Sequence, residues 1–251
     1  MLDAWRLSVG TLTALRVGHP SRVDRRTAGL AMLLAPLAVV PLGVLVGLIG
    51  WAGRELDLAP LAVAFVAVGA LAMGSRALHL DGLSDVADAL TVSYDRERSL
   101  DVMKGGTSGP AGSAALVLVL GLQVAALASV LSTPRGPVVA AVLVCVSRAI
   151  LVVTCARGVP AARDGGLAAS YVGTVAPVAV AATWVSAVVV TYGVLDWAGH
   201  DWWRGPLVAV AGLAVGTALT LRCVRRFGGV TGDVFGAAIE VTLATLLLGA
   251  S

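Results

Sequence analysis

Three aspartates recur at regular spacing in an otherwise apolar segment: Asp81, Asp85 and Asp88, at i, i+4 and i+7. On a helix this spacing puts all three carboxylates on one face, where they repel one another. No Lys or Arg is interleaved, and hard oxygen ligands of this kind suit Mg²⁺ or Mn²⁺. The spacing therefore predicts a divalent-metal site, with Mg²⁺ as cofactor, in preference to a solvated acidic face. His79, at the start of the motif, is expected to be structural rather than a ligand or base.

A second group of acids follows a glycine-rich turn near the end of the chain. Asp233 comes directly after Gly228–Gly232, and Glu240 lies seven residues further on, on the same helix face. Glycines let the backbone approach a ligand closely, and the Thr231 hydroxyl in this turn is a candidate phosphate-binding group. A carboxylate inside a membrane span is costly, which favours a functional role for Glu240. The alternative is that Glu240 pairs with Arg148 for structure alone.

The candidate phosphate-binding cations are Lys104, Arg148, Arg157 and Arg163. Lys104 precedes the Gly/Ser/Thr-rich loop 105–109, and Arg163 precedes Asp164 and two glycines. Cations beside flexible loops suit phosphate oxygens, although Arg157 could equally serve only to set membrane topology. Acids on two helices and cations on nearby loops together predict metal-assisted phosphoryl transfer.

The elements that must position these residues are membrane helices. The chain has 251 residues, of which 58% are apolar and 13% charged, against about 25% charged in an average soluble domain. This composition excludes a soluble globular domain, a disordered chain and a nucleic-acid-binding module. The apolar stretches run over 27–53, 58–75, 105–134, 136–156, 165–195, 205–221 and 234–251. Most approach or exceed the roughly 18–20 residues that cross a bilayer, so we predict one all-α multi-pass domain over residues 1–251 with about seven transmembrane helices.

The distribution of Lys and Arg predicts the orientation. With the N-terminus in the cytoplasm, thirteen of these residues fall on the inner side, whereas Arg54, Arg135 and Arg204 fall on the outer side. Cytoplasmic loops carry such an excess of positive charge. The candidate site residues then lie at the inner face of the membrane or just within it.

The motif from His79 to Asp88 resembles the signature of the cobalamin synthase (adenosylcobinamide-GDP ribazoletransferase) family. Further matches, in the same order along nearly the whole chain, are Arg96–Arg98, Met103–Lys104, Arg163–Leu167, Gly228–Asp233 and Glu240.

The resemblance implies an enzyme of the bacterial inner membrane that joins adenosylcobinamide-GDP to α-ribazole 5′-phosphate, or to α-ribazole, and releases GMP. Asp81, Asp85 and Asp88 would hold Mg²⁺ on the diphosphate. Asp233 or Glu240 would complete the site or accept the hydroxyl proton, and Asp233 is counted among the metal ligands. Lys104 and Arg163 would neutralise phosphate charge. The bilayer is the expected environment, no nucleic acid is expected as a partner, and a homo-oligomer is left open.

Two other functions are weighed against this one. A CDP-alcohol phosphotransferase is disfavoured because no Asp precedes Asp81 at that family's spacing and no Ala-Arg pair follows. A secondary transporter using Arg148 and Glu240 as an ion relay is disfavoured because the acids cluster at one edge of the membrane. Transporters also commonly contain a repeat, and none is recognisable here.

Overall fold

The computed structural model describes residues 1–92, 95–105 and 108–251, without the side chains of Lys104 and Leu167. The helices are α1 (Leu2–Leu12), α2 (Arg25–Leu33), α3 (Ala35–Ala38), α4 (Val40–Glu55), α5 (Pro60–Gly74), α6 (Leu78–Val92), α7 (Arg96–Lys104), α8 (Pro110–Leu131), α9 (Gly136–Ser147), a 3₁₀ turn (Arg148–Ile150), α10 (Leu151–Thr154), α11 (Leu167–Tyr171), α12 (Pro177–Ala198), α13 (Arg204–Phe227) and α14 (Gly232–Ala250). β-pairing in these ranges is confined to two isolated bridges, which confirms the predicted all-α class.

Five helical segments among the described residues are long and apolar enough to cross a membrane. They are α8, the continuous run 136–154, α12, α13 and α14. A sixth is obtained if α5 and α6, which are bent by 91° at their junction, count as one broken span. The multi-pass character is thus confirmed, whereas the count of seven and the side of the N-terminus stay predictions.

The first predicted span, residues 27–53, is not one continuous helix. It is divided into α2, α3 and α4, with Pro36 and Pro41 in the first turns of α3 and α4. Proline has no backbone N–H to donate to the preceding turn, so it favours the start of a helix over its interior. The pieces are consequently too short to count individually as spans.

The sharp bend between α5 and α6 sets the direction of the acidic helix. Arg76 and Ala77 have φ angles of 59° and 54°, a left-handed conformation that costs a residue with a Cβ roughly 1–2 kcal/mol. The guanidinium of Arg76 donates to the carbonyl oxygen of Gly10 at 2.8 Å, and the Ala14 N–H donates to the Gly74 carbonyl at 2.6 Å. The N-terminal segment therefore braces the bend and the strained residues in it.

Candidate active site

Two glycines let α6 and α14 pack with their backbones almost in contact. A Cβ added at Gly82 would lie 2.5 Å from the carbonyl oxygen of Asp233, and one at Gly236 would lie 2.8 Å from the Cα of His79. Small residues allow such close approach between helices in a membrane. The contact brings the acidic face of α6 beside Asp233, at the start of α14.

The carboxylates at this contact form a concentration of negative charge. Asp81 is exposed, while Asp85 and Asp233 are partly buried. The charge of Asp85 is opposed by those of Asp81, Asp233 and Asp88. The ion pairs found within the described ranges, Arg22–Asp24 and His79–Glu240, include none of these four acids. No ion pair at contact distance in the described ranges therefore neutralises the cluster.

The chemistry of this donor set fits a hard divalent cation, because carboxylate oxygens are the ligands that Mg²⁺ prefers. Among residues 1–92, 95–105 and 108–251, however, no three His, Cys, Asp or Glu side chains already converge as a metal-holding group. Mg²⁺ commonly keeps waters and uses one or two carboxylates together with substrate phosphates. The metal site at Asp81, Asp85, Asp88 and Asp233 thus stays a prediction.

Asp88 has a structural task that its spacing did not reveal. Its carboxylate accepts the Gly109 N–H at 2.6 Å and the Gly112 N–H at 2.8 Å, at the free N-terminus of α8. A Cβ at Gly112 would lie 2.4 Å from the same carboxylate. Asp88 therefore caps α8 from a neighbouring helix, and it is buried.

We expect Asp88→Ala to destabilise the fold by about 1–3 kcal/mol, because two backbone donors lose their acceptor. The thermal unfolding midpoint of the purified protein in detergent measures this loss. Asp201→Ala, which removes an exposed acid elsewhere, is the control and should leave the midpoint in place. An unchanged midpoint for Asp88→Ala would contradict the capping role.

A cavity of about 620 Å³ opens beside the acidic cluster. Its lining residues are Arg163, Asp164, Gly165, Gly166, Ala168, Val230, Thr231, Gly232 and Asp233. The predicted residues Arg163, Thr231 and Asp233 are thus brought together, although 70 positions separate the first from the last. The loop after Arg163 and the turn before Asp233, both singled out in the sequence, contribute to this one cavity.

The cavity has two walls: the first is the loop that carries Arg163, and the second is the turn that carries Thr231. Backbone hydrogen bonds join these two walls. Val230 donates to the Pro160 carbonyl at 2.9 Å, and Ala162 donates to the Val230 carbonyl at 3.1 Å. A Cβ on Gly229 would lie 2.4 Å from the Ala161 carbonyl carbon, so this pairing requires glycine there. The pairing fixes the spacing between the loops that carry Arg163 and Thr231.

Within the cavity, the polar side chains combine an anion-binding group with an acid. The Thr231 hydroxyl donates to an Asp233 carboxylate oxygen at 3.0 Å and orients it. Arg163 donates through Nη2 to the Leu100 carbonyl, while its buried Nε has no partner. Arg163 also attracts the Asp233 carboxylate electrostatically. Because Arg163 lines the cavity, its guanidinium suits a phosphate oxygen that enters there.

Glu240 lies deeper, two turns along α14, in a buried network that links three helices. Its carboxylate accepts from Gln123 Nε2 of α8 at 2.7 Å and faces His79 Nδ1 of α6 at 3.6 Å. The sequence reasoning did not identify Gln123. Its one available signal was that it is the only glutamine in a chain that has no asparagine, within a long apolar stretch.

Arg148 and Arg157, two of the other predicted cations, are not gathered at the cavity. Arg148 is fully buried and donates to the Val144 carbonyl and the Ser147 hydroxyl. Within the described ranges it forms no ion pair with Glu240, so the pairing left open above is not seen. Arg157 is exposed and does not line the cavity. The side chain of Lys104, and residues 106–107 of its loop, lie outside the described residues.

Comparisons with known proteins match nearly the whole chain, including every residue of the cavity. A family model described as cobalamin-5-phosphate synthase matches residues 4–251. A protein of Nocardioides sp. named adenosylcobinamide-GDP ribazoletransferase is 55% identical over 99% of this chain and 98% of its own length. Proteins of the same name from Frankia casuarinae and Pseudomonas paraeruginosa are 38% and 37% identical, over 99% and 98% of this chain and 94% and 97% of their own lengths. No solved structure matches the chain.

Proposed function

The chain belongs to the cobalamin-5-phosphate synthase family, and on that premise we propose that it is a Mg²⁺-dependent adenosylcobinamide-GDP ribazoletransferase of the bacterial inner membrane. Its second substrate is α-ribazole 5′-phosphate or α-ribazole, and its active site faces the cytoplasm. The names of the relatives support the activity, and the apolar helices support the membrane setting. The observation that carries the site assignment is the cavity in which Arg163, Thr231 and Asp233 adjoin the acids of α6.

The proposed reaction is one phosphoryl transfer. A ribazole hydroxyl oxygen bonds to the phosphorus nearer the cobinamide, and the bond from that phosphorus to the bridging oxygen breaks. GMP leaves with the bridging oxygen, and the hydroxyl proton passes to a carboxylate. The products are adenosylcobalamin 5′-phosphate, or adenosylcobalamin when α-ribazole is the acceptor, and GMP.

The cavity residues supply positioning and charge, which are the main requirements of phosphoryl transfer. Arg163 binds diphosphate oxygens with its guanidinium, because this residue lines the cavity. Asp233 accepts the hydroxyl proton, because its carboxylate lines the cavity and is oriented by Thr231. Lys104, at the end of α7, is proposed as a second phosphate-binding cation.

Asp81, Asp85 and Asp233 are the residues proposed to hold Mg²⁺, together with substrate oxygens. When bound, the cation neutralises charge on the diphosphate. Asp88 supports this site by holding the N-terminus of α8 against α6. Glu240 supports it by linking α14 to His79 and Gln123, so we assign it a positioning role.

The function is tested by GMP release from the purified protein in detergent. With adenosylcobinamide-GDP, α-ribazole 5′-phosphate and Mg²⁺, GMP and the cobalamin product should form in equal amounts. EDTA should stop the reaction, and excess Mg²⁺ should restore it. Omission of the ribazole substrate is the control, because hydrolysis alone would release GMP without the product. Absence of GMP, with cation-dependent solute uptake into proteoliposomes, would instead support the transporter.

A further inference from the structure

Arg96, in the first turn of α7, touches both loops that wall the cavity. Its Nη2 donates to the Ala162 carbonyl at 3.0 Å. A Cβ on Gly228 would lie 2.7 Å from the Arg96 Cζ, so the guanidinium lies directly against that backbone. Gly228 has a φ of 72° and ends α13 just before the second wall begins. The Arg96 side chain therefore connects both walls, at Ala162 and at Gly228, to α7.

The first wall makes a return contact with α7. Arg163, the residue after Ala162, donates to the Leu100 carbonyl in the middle of α7. Leu100 and Met103 are buried, and the Met103 sulfur lies 3.9 Å from the Thr231 hydroxyl oxygen. Arg96 of α7 thus donates to the first wall, and Arg163 of the first wall donates to α7.

Both backbone polar groups of Ala162 form hydrogen bonds. Its N–H donates to the Val230 carbonyl of the opposite wall, and its carbonyl accepts from Arg96. Because Arg163 follows immediately, these contacts determine where its side chain starts. Arg96 is not itself among the residues that line the cavity in the described part of the chain, so any influence on substrate passes through its neighbours.

We propose that Arg96 is a positioning residue that fixes Ala162 and thereby holds Arg163 in the cavity wall, where the substrate diphosphate binds. The proposal rests on the proposed function for the identity of the substrate. It requires guanidinium chemistry, because a planar group with several N–H donors can meet a carbonyl and pack on a backbone turn together. A lysine ammonium can keep only the single hydrogen bond.

The first test is the steady-state kinetics of Arg96→Ala. We expect the KM for adenosylcobinamide-GDP to rise about tenfold or more, because displacement of a binding group by about an ångström has effects of this size. The KM for α-ribazole 5′-phosphate should stay within about twofold of wild type. Arg96→Lys should recover part of the loss. Arg98→Ala removes an exposed arginine from the same helix and is the matched control, expected to behave as wild type.

A double-mutant cycle shows whether Arg96 acts through Arg163. The Arg96→Ala/Arg163→Ala protein should have the same KM for adenosylcobinamide-GDP as Arg163→Ala alone, since the positioned side chain is already absent. Additive losses in the double variant, or a wild-type KM for Arg96→Ala, would overturn the proposal.

GMP binding, measured by calorimetry without turnover, separates this proposal from the proposed function. Weaker GMP binding by Arg96→Ala, with Arg98→Ala unchanged, supports the positioning role even in a preparation that shows no transfer. Equal GMP binding by all three proteins contradicts it, whereas failure of the wild type to make cobalamin product contradicts only the proposed function. If Arg96→Ala lowers the thermal midpoint, Arg96→Lys takes its place, and wild-type KM and GMP binding in that variant count against the proposal.

Discussion

Replacement of Asp85 by Asn is expected to lower the rate of GMP release by about two to three orders of magnitude, the size of effect seen when one preorganised charge-stabilising group is lost. The variant should nevertheless be at least as stable as wild type. Asp85 is opposed by the charges of Asp81, Asp233 and Asp88, and the neutral amide of the same shape removes that repulsion. A stable but inactive protein is the signature of a residue retained for function at the expense of stability.

The measurement combines GMP release with the thermal unfolding midpoint in the same detergent. Asp57→Asn, at an exposed acid in the loop between α4 and α5, is the matched control and should leave both quantities unchanged. The Mg²⁺ concentration that gives half of the maximal rate should also rise in Asp85→Asn. Full activity of Asp85→Asn at the wild-type Mg²⁺ requirement would refute the metal-binding assignment of α6.

Addition of a single methyl group at Gly82 is expected to abolish most of the activity, by at least about tenfold, and to lower stability. The new Cβ would lie 2.5 Å from the Asp233 carbonyl oxygen and 2.9 Å from its Cα. Because both contacts are to backbone, no side-chain rotation can relieve them, and α14 must move away from α6. Overpacking of this kind typically costs about 1–3 kcal/mol, and here the same movement separates Asp233 from Asp85.

Gly69→Ala is the matched control for this substitution. Gly69 lies inside α5, and a Cβ there would meet nothing within 4 Å, so the variant should keep wild-type activity and midpoint. Gly236→Ala, whose Cβ would lie 2.8 Å from the His79 Cα, should reproduce the Gly82→Ala defect from the opposite helix. Wild-type GMP release by Gly82→Ala would show that close packing of α6 on α14 is not needed for the reaction.

The sequence was most informative where chemistry is encoded in local spacing. The i, i+4, i+7 pattern predicted a helix with Asp81, Asp85 and Asp88 on one face, and α6 carries them. The glycine-rich turn predicted a helix starting near Asp233, and α14 begins at Gly232. Helical periodicity and turn chemistry are short-range properties, so a single sequence contains them.

The sequence was less informative about the partners that these residues find. Asp88 looked equivalent to Asp85, yet its carboxylate caps α8 across a gap of 21 residues. Glu240 and Arg148 looked like a pair of embedded opposite charges, but Glu240 instead meets Gln123 and His79. These pairings depend on which helices are neighbours, and no local pattern specifies that.

By itself the sequence determined that this chain is an all-α membrane protein, and which few charged residues could do chemistry in it. Charge is costly in lipid, so each retained acid or cation stood out against 58% apolar residues. Only the tertiary structure decided how those residues combine. The left-handed residues at Arg76 and Ala77 turn α6 away from α5, and contact between backbones at Gly82 sets Asp233 beside the α6 acids. Both outcomes follow from long-range packing, in which the absence of a side chain at one position matters as much as the charges around it.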